Sequence, residues 1–154
     1  MVGEGEIAPD FEAIAHTGER VRLSQYRGKI VVLYFYPRAM TSGCTREGIR
    51  FNELLDEFER HGVIVLGMST DPPEKNRKFA EKYGFRFLLL SDPEGEVASL
   101  YGVLRETRSG RKSAARTTFI IDRDGRIVKV LKNIRPAEKH ADLALEIVKS
   151  LSQA

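Results

Sequence analysis

The chain contains a single cysteine, Cys44, at a point where an extended segment gives way to a helical pattern. The continuous apolar run from Ile30 to Tyr36 predicts a strand that is buried on both faces. A thiol at a strand-to-helix turn lies near the positive end of the helix dipole, which favours the reactive thiolate. Thr41 precedes the cysteine by three residues, so its hydroxyl could cap the helix or face the sulfur. The pattern is therefore compatible with a reactive thiol at this turn.

The same cysteine has a plain structural interpretation, because most free cysteines are small buried hydrophobes with inert chemistry. Position alone leaves the reactive and the structural interpretations open. A disulfide reductase of the thioredoxin type would need a Cys-x-x-Cys pair at this turn, and Thr41 stands at the partner position. Disulfide shuttling by this turn is therefore excluded, whereas a threonine there suits hydrogen bonding to a substrate oxygen.

The residues around the cysteine resemble the active-site signature of the peroxiredoxins, read here as Pro37-x-x-x-Thr41-x-x-Cys44. The resemblance is to the PrxQ branch, also called bacterioferritin comigratory protein, and rests on Tyr36-Pro37 and Gly43-Cys44-Thr45-Arg46-Glu47. It extends from Ala8-Pro9-Asp10-Phe11 to the last helix. It implies a thiol-dependent peroxidase, without a cofactor, that reduces hydrogen peroxide and small alkyl hydroperoxides through a sulfenic acid on Cys44.

The resemblance also implies how the turn takes part in the reaction. A thiolate attacks one peroxide oxygen while the other leaves as hydroxide or alkoxide, so charge on the leaving oxygen must be stabilised. Cys44 is then the nucleophile, and Pro37 shields its sulfur from water. The hydroxyl of Thr41 and the backbone N–H groups of Gly43 and Cys44 are expected to hold the peroxide oxygens.

Two charged residues complete the expected site. Arg116 directly precedes the apolar run 117–121 and matches the family arginine that approaches the sulfur. Its alternative is a surface arginine at the end of a basic loop. Glu47 lies one helical turn after Cys44, where PrxQ proteins often have a glutamate that positions the arginine and the threonine. The alternative interpretation of Glu47 is a solvated acid favoured by the helix dipole.

The three histidines show no metal-ligand spacing and are expected at the surface: His16, His61 and His140.

The chain departs from many PrxQ proteins in lacking a second, resolving cysteine, since the position five residues after Cys44 is Ile49. The resemblance then implies a 1-Cys peroxidase whose sulfenic acid is reduced by an external thiol, either thioredoxin-like or small. Pairing with Cys44 of a second subunit is an alternative, so a monomer and a homodimer both stay open. Two other functions also stay open, namely a redox relay that passes oxidation to a partner protein and a structural protein with an inert cysteine.

Length and composition limit the classes of protein to which the chain can belong. The length of 154 residues suits one domain spanning 1–154, and 42% apolar with 31% charged residues indicates a soluble globular chain. A net charge of +3 is too weak to argue for nucleic-acid binding. No apolar run approaches the roughly 20 residues that span a membrane. The acidic segment 1–6 lacks an apolar signal core, and a lone cysteine fits the cytoplasm.

The order of elements predicts an α/β fold with a mixed sheet flanked by helices, similar to the thioredoxin fold. An N-terminal β-hairpin extension and a β-α insertion are expected beyond that core. Asp71 is predicted to cap one helix, and Gly84 to end it. The segment 104–115 carries four basic residues without periodicity and predicts an exposed basic loop. A hairpin over 117–121 and 127–131 is then followed by a last helix after Pro136.

Overall fold

The computed structural model describes residues 1–152 of the chain. The strands are β1 (Glu12–Ala15), β2 (Arg20–Arg22), β3 (Ile30–Phe35), β4 (Val63–Ser69), β5 (Leu88–Ser91), β6 (Leu104–Glu106), β7 (Lys112–Ala114), β8 (Thr117–Ile121) and β9 (Ile127–Lys132). Seven of them form one mixed sheet in the order β2-β1-β5-β4-β3-β8-β9, and β6 and β7 form a separate hairpin. The helices are α1 (Ser42–Glu53), α2 (Leu55–Arg60), α3 (Pro73–Tyr83), α4 (Glu96–Tyr101) and α5 (Lys139–Ser152), with a short 3-10 turn at Leu23–Tyr26.

The central strand β3 is buried along its whole length, as its continuous apolar sequence predicts. It pairs in parallel with β4 and antiparallel with β8. Because strand side chains alternate, Val32 and Tyr34 enter one apolar cluster, whereas Leu33 and Phe35 enter the other. This strand therefore separates two cores and delivers the chain at its C-terminal end to the turn that carries Cys44.

Two contacts show how closely α1 packs on the core beneath it. The rings of Phe51 and Tyr34 stack with their centroids 4.3 Å apart. A Cβ at Gly48 would lie 2.4 Å from the Cζ atom of Phe85, so only glycine lets the helix approach this closely. The helical conformation is interrupted at Leu54, which separates α1 from α2. The first turn of α1 is thereby fixed above the end of β3.

The thioredoxin-like architecture and its N-terminal hairpin are confirmed, since β1 and β2 pair antiparallel at one edge of the sheet. The prediction of a loop over 104–115 is wrong, because β6 and β7 pair there with Leu104 opposite Ala114. Charged side chains on both faces of this short hairpin hide the alternation that marks a strand. Among the helices of residues 1–152, each is too short or too polar to cross a membrane.

The predicted cap of α3 is also wrong, because Pro72 occupies the N-cap position. The carboxylate of Asp71 instead accepts hydrogen bonds from the Ser69 hydroxyl at 2.8 Å and the Ala39 backbone N–H at 2.7 Å. The residue therefore ties the turn between β3 and α1 to the end of β4. Gly84 does end α3, in the left-handed conformation with φ 66°.

Candidate active site

Cys44 is the third residue of α1, so it lies in the first helical turn, where backbone N–H groups have no partner within the helix. Its side chain is buried, with 1% of the residue exposed, and it packs in the apolar cluster beneath the helix. The turn that leads to it is anchored by the hydrogen bond from Ala39 to Asp71. The sulfur therefore has a fixed position at the positive end of a helix.

The guanidinium of Arg116, which directly precedes the neighbouring strand β8, reaches the sulfur. Its Nη2 atom lies 3.4 Å from Sγ of Cys44, and its Nη1 atom lies 2.5 Å from Oε1 of Glu47. Strand register explains the approach. Phe35 at the end of β3 pairs with Thr117 at the start of the antiparallel strand β8, so Arg116, one residue before Thr117, lies at the level of the turn. A Cβ at Gly43 would lie 3.0 Å from Nη2, so the absence of a side chain there admits the guanidinium.

Glu47 is completely buried, so the alternative of a solvated first-turn acid is wrong. Burial raises the pKa of its carboxyl to about 8, although the charge and hydrogen bond of Arg116 lower it in part. The guanidinium thus forms two contacts at once in a fixed planar geometry, one with sulfur and one with this carboxyl. The expected contact between Glu47 and the arginine is therefore present.

The structure does not bring the Thr41 hydroxyl to the sulfur. Thr41 stands at the N-cap position of α1, but its side chain makes no capping hydrogen bond. Its Oγ1 atom donates instead to the carbonyl oxygen of Arg38 at 2.8 Å, and the residue is exposed. Glu47 was expected to position both Arg116 and Thr41, but it bonds only to Arg116. Pro37 and Gly43 lie together on the wall of an open cleft of about 400 Å³ that Arg116 also lines.

His140 is a residue of this site, and the prediction that it lies at the surface is wrong. It is completely buried, and its Nδ1 atom lies 2.8 Å from Oγ1 of Thr118 and 4.0 Å from Oε2 of Glu47. Burial and the charge of Arg116 lower its pKa to about 4, so the imidazole is neutral at neutral pH. A signal was present, because His140 shares a helical face with Ala144 and Val148 at i+4 and i+8.

The other two histidines lie away from the site and are half-buried. His16 accepts a hydrogen bond at Nδ1 from the Leu89 backbone N–H at 3.1 Å, and His61 lies 2.7 Å from the Ser152 hydroxyl. Both therefore have structural partners at the edges of the fold.

The opposite pKa shifts of Glu47 and His140 predict a stability that depends on pH. The protonated carboxyl is favoured by folding, so its contribution is full below pH 4.5 and is lost as pH rises through about 8. The neutral imidazole is favoured by folding, so its contribution is full above pH 6.5 and is lost as pH falls through about 4. Between pH 4.5 and 6.5 the contributions of the two groups to stability change in opposite directions. Between pH 6.5 and 8 only the contribution of the carboxyl changes.

We expect the free energy of unfolding to fall by roughly 2 kcal/mol from pH 6.5 to 8 because of Glu47, and Glu47→Gln to remove this fall. Urea unfolding over a pH series measures it, in a Cys44→Ser background so that the thiol does not contribute. Glu53→Gln changes an exposed acid of the same helix and serves as the control. A fall of the same size in the Glu47→Gln protein contradicts the prediction.

The comparisons with known proteins agree with this geometry. Residues 5–130 match the model of the AhpC/TSA family. Peroxiredoxin Bcp of Bacillus subtilis is 38% identical over 152 residues, which cover 97% of this chain and 96% of the relative. The crystal structure of peroxidoxin BcpB from Mycobacterium tuberculosis superposes with a TM-score of 0.92 at 40% identity, covering 98% and 99% of the two chains.

The bacterioferritin comigratory protein of Xanthomonas campestris has a TM-score of 0.85 at 31% identity, and the match covers 92% of each chain. Family model, sequence relatives and solved structures thus point to one group of proteins over nearly the whole length. The chain belongs to the AhpC/TSA family and is a thiol-dependent peroxidase of the Bcp/PrxQ peroxiredoxins, with Cys44 as its single cysteine.

Proposed function

We propose that the chain reduces hydrogen peroxide and small alkyl hydroperoxides through a sulfenic acid on Cys44, which an external thiol converts back to the thiolate. The observation that carries this proposal is the guanidinium of Arg116, which lies 3.4 Å from the sulfur while it also bonds to buried Glu47. Alkyl peroxide reduction activity is described for the similar protein of Xanthomonas campestris. An open cleft of about 400 Å³ lies beside this site and leaves room for a substrate of that class.

In the proposed reaction the thiolate of Cys44 attacks one peroxide oxygen, so an S–O bond forms as the O–O bond breaks. The leaving oxygen departs as hydroxide or alkoxide and takes up a proton, giving water or an alcohol. Arg116 stabilises the charge that moves from sulfur to the leaving oxygen. Because the pKa of Glu47 is about 8, this carboxyl is mostly protonated at neutral pH and leaves the arginine's charge available.

The remaining proposed roles belong to the turn. The N–H groups of Gly43 and Cys44 lie at the start of α1 and supply donors for the peroxide oxygens. Pro37 covers the approach to the sulfur from the cleft wall. Thr41 takes part only after its hydroxyl gives up the bond to the Arg38 carbonyl. A reductant must also reach a sulfur that is 1% exposed, so the first turn of α1 opens locally after oxidation.

A titration of the reduced protein with peroxide tests the proposal. One equivalent of hydrogen peroxide should consume one thiol and add one oxygen, and dimedone should trap it as a sulfenic acid on Cys44. Excess peroxide should carry the same sulfur to sulfinic and sulfonic acid, because the chain has no second thiol to intercept the sulfenic acid. Intact and peptide mass spectrometry follow both steps. Peroxide consumption without a trapped adduct at Cys44 contradicts the proposal.

A redox relay is the second candidate, and the lone cysteine favours it because oxidation of Cys44 cannot be resolved within the chain. In that case the sulfenic acid reacts with the thiol of a specific partner protein and passes its oxidation on. A relay turns over slowly with every free thiol and accumulates one mixed disulfide, whereas the peroxidase turns over with excess thiol. Oligomeric state bears on the same question, since two copies joined through Cys44 form a disulfide dimer that nonreducing electrophoresis detects.

A further inference from the structure

The cleft beside Cys44 carries an excess of positive charge that peroxide reduction itself does not need. Four arginines lie among its lining residues, and no aspartate or glutamate does: the arginines are Arg46, Arg105, Arg116 and Arg135. Hydrogen peroxide and small alkyl hydroperoxides are neutral, and Arg116 alone reaches the sulfur. The other three guanidiniums therefore have no part in the proposed oxidation step.

These three guanidiniums differ in how far their charge is already neutralised. Arg46 lies 3.4 Å from a carboxylate oxygen of Glu138. Arg105 and Arg135 are exposed and form no ion pair within the described range 1–152. Glu106 follows Arg105 on strand β6, where alternation directs its side chain to the opposite face. The cleft that Gly43 and Arg116 line therefore presents at its mouth two cations that have no ion-pair partner among residues 1–152.

The reaction has one participant that this chain does not supply. Because Cys44 is the only cysteine, the thiol that reduces its sulfenic acid must enter from outside and contact Sγ. Any group that occupies the cleft lies against Gly43 and Arg116, which border the sulfur. A volume of about 400 Å³ lies within the range of small-molecule sites. Guanidiniums bind carboxylates with two parallel hydrogen bonds, so the cleft suits a thiol that carries carboxylates.

We propose that the arginine-lined cleft binds the reducing thiol and selects small thiols that carry one or more carboxylates. This inference rests on the proposed function. The bound thiolate attacks the sulfur of Cys44, a sulfur–sulfur bond forms, the S–O bond breaks, and hydroxide leaves as water after taking up a proton. A second thiolate then attacks the ligand sulfur of this mixed disulfide and releases the thiolate of Cys44. Two thiols are oxidised to one disulfide for each peroxide reduced.

The test compares the reduction of preformed sulfenic acid by three probe thiols of different charge. One equivalent of peroxide generates the sulfenic acid, and stopped-flow mixing then introduces 3-mercaptopropionate, 2-mercaptoethanol or cysteamine. With rates expressed per thiolate, the carboxylate probe should exceed the neutral probe by about tenfold, and the cationic probe should be slowest. The advantage should decrease as salt is added, because the two arginines are exposed.

Variants locate the effect in the cleft. The double variant Arg105→Gln, Arg135→Gln should reduce the ratio of carboxylate to neutral probe to about one. Arg108→Gln is the matched control, because Arg108 is an exposed arginine of the same hairpin that does not line the cleft. An equal loss of the ratio in this control overturns the proposal, since the effect would then come from overall surface charge.

Other outcomes are equally decisive. A ratio near one in the unmodified protein overturns the proposal, and so does efficient reduction only by a dithiol protein of the thioredoxin type. If the double variant instead slows oxidation by a carboxylate-bearing hydroperoxide and leaves the thiol ratio intact, the cleft selects the peroxide. Failure to form sulfenic acid in the first step contradicts the proposed function itself, which separates the two failures.

Discussion

Replacing Cys44 with serine is expected to lower peroxidase turnover by on the order of 10⁴-fold or more, as loss of a catalytic nucleophile does in other enzymes. A serine hydroxyl is not nucleophilic unless a base removes its proton. The nearby imidazole of His140 is bonded to Thr118 and contacts Glu47 rather than residue 44. A serine side chain also cannot form a counterpart of the sulfenic acid, which takes up one oxygen of the peroxide and later loses it to the reducing thiol.

The serine protein should keep its fold, since the two side chains have similar size, although a hydroxyl in the apolar cluster costs about 1–3 kcal/mol. Peroxide consumption with excess thiol measures the loss, and near-ultraviolet circular dichroism checks that the tertiary structure is intact. Cys44→Ala provides a second variant without a new hydroxyl. Folded protein of either kind with more than a tenth of the original turnover contradicts the account.

Replacing Arg116 with alanine is expected to slow oxidation of Cys44 by about 10² to 10³-fold, the usual cost of removing one stabilising donor from a transition state. The guanidinium is the one cation within hydrogen-bonding distance of the sulfur among residues 1–152. Arg116→Lys should recover only part of the rate, because one ammonium cannot hold the sulfur and Glu47 in the same planar geometry. Stopped-flow oxidation with hydrogen peroxide measures each rate.

A control is needed because alanine at position 116 leaves the buried carboxyl of Glu47 without its ion-pair partner. The change therefore also destabilises the fold when this carboxyl is ionised. A Glu47→Gln background removes that charge, so the effect of Arg116→Ala on the rate can be measured in a stable protein. Equal oxidation rates with and without the arginine in this background show that it does not act on the sulfur.

The mixed sheet and the sequence of its core elements along the chain were predictable because each of these elements has a strong local pattern. The run from Ile30 is apolar at every position, and that is the pattern of a strand between two cores. The β6–β7 hairpin was missed because it is short, exposed and highly charged, so burial does not impose an alternation on it. The role of Asp71 was missed because its partners, Ser69 and Ala39, lie outside the helix that it precedes.

The site was predictable where the family motif supplied long-range information. Spacing around Cys44 shows a helix start, but nothing local indicates that Arg116, separated by 72 residues, reaches the sulfur. Strand pairing between β3 and β8 makes that contact possible. The prediction of the contact came from the resemblance to peroxiredoxins. The resemblance gave no information about His140. Its titratable side chain favoured a position at the surface, although the apolar face of the helix on which it lies indicated the burial that is observed. The orientation of the Thr41 hydroxyl depends on a backbone carbonyl and leaves no trace in the sequence.

The central claim is that this fold activates Cys44 toward peroxide, although the residue is only 1% exposed. The most direct test is the second-order rate constant for oxidation by hydrogen peroxide, measured by stopped flow in the native protein and in the same protein unfolded in urea. The account predicts that the native sulfur reacts faster by orders of magnitude, because the start of α1 and Arg116 act only in the folded state. A native rate equal to or below the unfolded rate would show that burial merely protects the thiol, and would contradict the account.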